Sequence, residues 1–174
     1  MFNKTITVLD EYGKAVVKQA QDNLDEKGFD GQKRDRKKSN TGALKKSLGY
    51  SIRQTDGEII ISFKSSKDYA AIVEEGRDKG SKMPPSGVIN RWAIQRNIKG
   101  VRNKRGQFTS RKSTVYAIRK SIAKRGIKPV RYFSGAMLDV FTSLPEKLQL
   151  SLVDDLQNII YEDMTKKGFN AKIT

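Results

Sequence analysis

The stretch LGYSIRQTDGEIIISF, residues 48–63, decides the fold. Leu48, Tyr50 and Ile52 alternate with polar residues, Ile59, Ile61 and Phe63 do the same, and the tight-turn dipeptide Asp56-Gly57 stands between the two runs. A period of two on both sides of a turn predicts an antiparallel β-hairpin with one buried face. Upstream, Ile6, Leu9, Val16, Ala20 and Leu24 recur at helical spacing and Gly28 supplies a stop, so residues of about 4–27 are expected to form an amphipathic helix whose stripe covers that face. Between helix and hairpin, GQKRDRKKSNTG (31–42) contains no apolar residue and reads as a flexible basic arm.

Downstream the pattern turns helical. The segment DYAAIVEEG (68–76) continues from the hairpin as a short apolar piece ending at Gly76, and RDKGSKMPPSG (77–87) is a turn-rich connector. Ser86 is a plausible N-cap for a helix that places Val88, Ile89, Trp92 and Ala93 on one face and ends near Gly100, with Trp92 as a core anchor. A basic loop over about 99–113 follows. Thr114 is the expected cap of the next helix, which buries Val115, Ile118 and Ile122 and stops at Gly126. From Ser134 a last helical region carries Met137, Leu138 and Phe141, with Pro145 starting or kinking the stretch of Leu148, Leu152, Leu156, Ile159 and Ile160, a stripe expected to be core. Helices outnumber strands and the strands are antiparallel neighbours. The expected class is therefore α+β: a hairpin packed with an N-terminal amphipathic helix and C-terminal helices, in a single domain of 1–174 with long basic loops.

Charge and residue types then narrow the function. The formal net charge is +16, and residues 79–138 hold sixteen Lys and Arg with no Asp or Glu. Before that segment fifteen basic residues face thirteen acidic ones, and after it four face six, so the segment carries the whole excess. Such a block repels itself unless an anion offsets it, and the phosphate backbone of nucleic acid is the obvious polyanion. An acidic protein partner and plain solvation are the other readings. Phe108 and Tyr132, scattered among the charges, do not make a base-stacking platform, and sequence-specific reading is not indicated.

The chain has neither Cys nor His, which removes thiolate nucleophiles, the usual general base and the commonest metal ligands. Glu74-Glu75, Asp154-Asp155 and Glu162-Asp163 are adjacent pairs whose side chains diverge, and they read as solvated surface charge. A hydroxyl nucleophile would need a desolvated Lys as base, and no phosphate-binding glycine loop or calcium-loop spacing is present. No enzyme activity, cofactor or metal is expected. No apolar run approaches the length of a membrane span, and residues 1–14 do not resemble a signal peptide, so a soluble protein made in a cytoplasm is expected.

Three pieces taken in order carry a resemblance: YAAIVEEG (69–76), MPPSGVINRWAIQRN (83–97) and AIRKSIAKRGIKPVRYFSGAM (117–137). Following an amphipathic helix and a hairpin, they resemble the neck or tail-completion (head-tail joining) proteins of tailed bacteriophages over roughly 44–140. The first matches that family's Tyr-Ala start followed by Val-Glu and Gly, although the family often has an aromatic residue where Glu75 stands. The third matches its Ile-Ala-x-Arg-Gly-Ile helix end with an aromatic residue, here Phe133, soon after. The resemblance implies a structural virion protein without an active site, located in the neck or tail region and made in the host bacterial cytoplasm. It implies a homo-oligomeric ring, sixfold or twelvefold, between portal or head-completion proteins and tail proteins, around a channel that genome DNA crosses without sequence readout. By position, Tyr69, Val73, Glu74 and Gly76 would hold one structural turn, and Trp92, Arg125, Gly126 and Phe133 a second packing unit. The arm residues Lys33, Arg34, Arg36, Lys37 and Lys38 and the loop residues Arg102, Lys104, Arg105, Arg111 and Lys112 exceed what a minimal member needs, and they are the candidate contacts to DNA or an adjacent ring. From the charge block alone, the alternative is a cytoplasmic, non-sequence-specific nucleic-acid-binding module.

Overall fold

The computed structural model describes residues 2–25, 42–56, 58–100, 102 and 106–167. The arm of 31–42 therefore lies, except for Gly42, outside the described residues, as do Gly57, Lys104 and Arg105. The hairpin forms as its alternation predicts. Strands β1 (Leu48–Gln54) and β2 (Ile59–Ser65) pair antiparallel with Tyr50 opposite Phe63 and Ile52 opposite Ile61, so the apolar positions of both strands share one face. Thr55 N donates to Glu58 O across the turn at 3.0 Å.

Helix α1 (Asn3–Asp25) lies over this face and buries Leu9, Val16, Ala20 and Leu24. The crossing is close. A Cβ at Gly13 would come within 2.4 Å of the Tyr50 ring, which explains a glycine in mid-helix, where it costs about 1 kcal/mol relative to Ala. The Tyr50 hydroxyl donates to Asp10 Oδ1 at 2.7 Å and ties the strand to the same helix. After a single turn of helix, α2 (Ala43–Lys46), and the hairpin, α3 (Ala70–Glu75) is a six-residue helix ended by Gly76.

The core is completed from the other end of the chain. Helix α6 (Tyr132–Phe141) inserts Tyr132 and Ala136 against Val16, Ala20, Leu24, Leu48 and Val130, with Phe63 and Phe133 packed around them. Phe63 stands 6.1 Å from Tyr12 edge-on and 5.8 Å from Phe133, so strand, first helix and α6 meet through aromatic rings. Helix α7 (Leu144–Lys166), with Pro145 in its first turn as expected, runs back along α1.

Helices α4 (Ser86–Gln95) and α5 (Arg111–Arg125) pack on each other and have no comparably extensive contact with α1, the hairpin or α7. They form a lobe made from the basic segment. Four expectations are corrected here. Trp92 is 40% exposed and Val88 48%, because α4 turns Ile89 and Ala93 toward α5 and leaves the neighbouring Val88–Trp92 row outside. Helix α4 stops at Gln95 rather than near Gly100: Asn97 adopts a left-handed φ of 49° and Ile98 N donates to Ala93 O at 2.9 Å, a hydrogen-bonded C-terminal stop that Asn tolerates well. Helix α5 begins one turn before Thr114, since Ser110 is its cap and accepts from Ser113 N at 3.2 Å. Thr114 is buried instead and donates to Ser110 O. Ser86 likewise is the first residue of α4, with Pro85 in the cap position.

The expectation of a buried stripe on the last helix is also corrected. Leu144, Ser151 and Asp155, with the half-buried Leu148, face α1 and Ile159 is half-buried, whereas Leu152, Leu156 and Ile160 are 42%, 43% and 58% exposed. Leu138 and Phe141 of α6 are exposed as well. Helical periodicity identifies apolar stripes but not which of two stripes has a partner within the chain.

Candidate functional site: a crossing of two chain segments

Residues 73–77 and 126–134 run side by side at the base of the core. Arg77 N donates to Ile127 O and Ile127 N to Arg77 O, each at 2.8 Å, then Val130 N donates to Val73 O at 2.9 Å and Arg131 N to Glu74 O at 3.0 Å. The segments approach so closely that side chains are excluded at two points. A Cβ at Gly76 would lie 2.4 Å from Ile127 O, and one at Gly126 would lie 2.3 Å from Arg77 O. Both glycines sit at positive φ, 83° and 72°, with ψ of −155° and −170°. That backbone region is open essentially to glycine alone.

Glu74 completes the crossing. Its carboxylate accepts from Phe133 N and Ser134 N, each at 2.9 Å, and from Ser134 Oγ at 2.6 Å. The first N–H groups of a helix have no partner inside it, so Glu74 acts as the cap of α6 from some sixty residues away and sets its negative charge at the positive end of the helix dipole. This borrowed cap also explains why α6 starts at Tyr132 and not at Ser134. Arg131, held in a left-handed turn at φ 52° by its bond to Glu74 O, makes the entry.

Tyr132, 1% exposed, reaches Ala70 O through its hydroxyl at 3.4 Å. Burial, reinforced by the negative Glu74 and by Tyr69, pushes its phenol up from an ordinary value near 10 to about 12. A raised value in the folded state means that the stabilising contribution is complete below pH 10 and is lost as pH rises toward 12. Ionising Tyr132 in place costs roughly 2–3 kcal/mol. Urea midpoints should therefore fall between pH 9 and 11.5, and Tyr132→Phe should flatten that fall while costing only about 1 kcal/mol at pH 7 through the lost hydroxyl contact.

A second borrowed cap closes the opposite end of the body. Asp155 of α7 accepts from Lys4 N at 3.1 Å and from Thr5 N and Thr5 Oγ1 at 2.8 Å each, at the first turn of α1, while the adjacent Asp154 turns outward to pair with Lys4 Nζ at 2.9 Å. Burial opposes the charge on Asp155, but the bonds from Thr5 and Lys4 outweigh it and hold the carboxyl below its ordinary value of 3.8. Reading all paired carboxylates as solvated surface charge thus fails for Glu74 and Asp155, each of which caps a helix distant in sequence. A carboxylate at a single position in a list of acids carries no local signal of this, because its partner helix starts elsewhere in the chain.

The predicted structural residues divide accordingly. Val73, Glu74, Gly76, Gly126 and Phe133 meet at the crossing. Tyr69 precedes α3 with its side chain largely exposed, Arg125 is exposed at the end of α5, and Trp92 belongs to the α4–α5 lobe. Among the candidate DNA or partner contacts, Lys33, Arg34, Arg36, Lys37, Lys38, Lys104 and Arg105 fall outside the described residues. Arg102 bridges to Phe108 and stacks over its ring at 4.9 Å. Arg111 and Lys112 open α5, exposed, where the positive end of the helix dipole adds to their charge. No group of acidic side chains suited to hold a metal ion occurs among the described residues, and none of their helices is long and apolar enough to cross a membrane.

Residues 3–76 match the sequence model of a family described as "Bacteriophage HK97-gp10, putative tail-component". The matched span runs from the first residue of α1 through the hairpin and α3 to the crossing glycine Gly76, so this part of the chain is similar to a phage tail component. It includes the YAAIVEEG piece and leaves the other two family-like pieces beyond its end. No curated protein and no solved structure matches the chain.

Proposed function

We propose that the chain is the ring-forming neck or tail-completion subunit that joins the portal side of a phage head to its tail. The observation that carries this reading is the tail-component match over the first helix, the hairpin and α3. Two features of the remaining chain support the finer assignment. The basic α4–α5 lobe, with Arg102, Arg111 and Lys112 exposed near the start of α5, suits a wall passed by DNA, since Lys and Arg contacts to phosphate attract without selecting sequence. The apolar residues left outside on α6 and α7 suit a subunit buried among others. The ring is taken as sixfold or twelvefold, with head-completion and tail proteins as its axial neighbours.

A phage with an early stop codon in this gene should accumulate DNA-filled heads and separate tails under the electron microscope, and the protein should be found in purified wild-type virions by mass spectrometry. Complete infectious particles made without the chain would sink the assignment. The stacking of Arg102 on Phe108 beside the basic start of α5 favours one competing reading, a non-sequence-specific nucleic-acid-binding module. That reading requires virions free of the chain and duplex binding that weakens steeply with salt.

A further inference from the structure

We propose that the outward stripe of α7, Leu152, Leu156 and Ile160 with Val153 beside it, docks on the α4–α5 lobe of a second copy of the chain, where Val88, Trp92 and Tyr116 are exposed. This rests on the ring reading above and specifies which faces meet. Helix α7 has two apolar faces. One, through Leu144, Leu148 and Ser151, is spent on α1; the other is spaced at i, i+4 and i+8 and meets nothing among the described residues to cover it, leaving its residues 42–58% exposed. Moreover, Asp155 marks the level of the first turn of α1, and α7 continues from there to Lys166, so about three turns, roughly 16 Å, extend past the end of α1. A helix that overruns its partner while carrying Ile160 and Met164 outward is shaped to reach a neighbour.

Charge selects the occupant. Apart from Asp155, which is buried against α1, the α7 acids Glu146, Asp154, Glu162 and Asp163 outnumber Lys147 and Lys166. A second α7 laid against this one would bring like charges together, whereas the α4–α5 lobe falls within residues 79–138, which hold no acidic residue. The lobe also offers apolar surface of its own, since Val88 and Trp92 form an exposed i, i+4 row on α4 and Tyr116 is exposed on α5. An apolar row bordered by positive charge fits an apolar row bordered by negative charge. DNA would satisfy the cations but not the apolar rows. Because the two faces lie on different parts of the subunit, the contact is head-to-tail, the type that generates rings when its rotation closes.

The chain has no native cysteine, which makes a cross-linking test clean. Phage carrying Trp92→Cys, Leu156→Cys or both would be grown, and purified virions treated with a short bis-maleimide. Both positions are exposed, so the body of the subunit is untouched by either change. The expected result is a ladder of multimers of this chain from the double variant and none from either single variant. A dimer from Leu156→Cys alone would show α7 against α7 and overturn the proposal. Virions that contain the double variant but yield no multimer would overturn the docking while leaving the neck assignment standing. Virions lacking even the wild-type chain would overturn that assignment and the docking with it.

Discussion

Replacing Gly126 or Gly76 with Ala should be among the most damaging single changes in this protein. Each substitution puts a methyl group 2.3–2.4 Å from a backbone carbonyl of the opposing segment, Arg77 O in one case and Ile127 O in the other. Neither oxygen can yield, because Arg77 and Ile127 exchange two 2.8 Å hydrogen bonds at that point. Alanine also has to adopt a positive φ of 72° or 83°, which by itself costs about 1–3 kcal/mol. Clash and backbone strain together are expected to lower stability by roughly 3–5 kcal/mol, a large share of the 5–15 kcal/mol typical of a domain. Gly42→Ala provides the contrast, since its φ of 69° is similarly left-handed but nothing lies within 4 Å of the added carbon. Its loss should stay near 1 kcal/mol. Urea denaturation of the three variants separates the two contributions: equal losses at 42, 76 and 126 would mean that the close approach of the segments does not matter.

Much of the body was legible in the residues. The hairpin was readable because its apolar period and its turn are both local, and α1 because five apolar residues keep helical spacing over about five turns. Pro145 announced the start of α7 and Gly126 the end of α5. What could not be read depends on partners far along the chain. Ser134 looked like the beginning of α6 because no sequence rule points from Phe133 back to Glu74, and Ser110 was hidden as a cap by the Arg-Lys pair after it, residues disfavoured at a helix N-terminus. The α7 stripe illustrates the same limit from the other side. Leu152, Leu156 and Ile160 have the spacing of a core face, and whether a core exists opposite them is decided by where α1 and α6 lie. Among the site residues, the order Val-Glu-x-Gly followed much later by Arg-Gly-Ile brings together positions that do meet, whereas Trp92, which the resemblance groups with Arg125, Gly126 and Phe133, is carried away by the lobe.

Asp155 should be the acidic residue whose removal costs most. Two N–H groups in the first turn of α1 and the Thr5 hydroxyl converge on its carboxylate, and the site is buried, so Asp155→Ala leaves donors without water to replace it. The expected loss is roughly 2–4 kcal/mol, from unsatisfied donors and the lost cap together. Asp155→Asn keeps an acceptor oxygen but presents an amide where a second acceptor is needed and removes the charge from the positive end of α1; it should cost about 1–2 kcal/mol. By contrast, Asp154→Asn, whose partner Lys4 is solvent-exposed, should change stability by less than about 0.5 kcal/mol. The sign of the pH dependence follows from the direction of the shift. Because the folded protein holds the Asp155 carboxyl below 3.8, its contribution is complete above that pH and is lost as pH falls through the lower folded value. The gap in unfolding free energy between the native chain and Asp155→Asn should therefore be widest at neutral pH and narrow below pH 3.8. A gap that stays constant into acid would mean that the hydrogen-bond geometry, and not the charge at the end of α1, provides the stabilisation. Since Asp155 helps to pin α7 to the first turn of α1, the same variant should also weaken any assembly that uses the outward stripe of α7, detectable as fewer copies of the chain per purified virion.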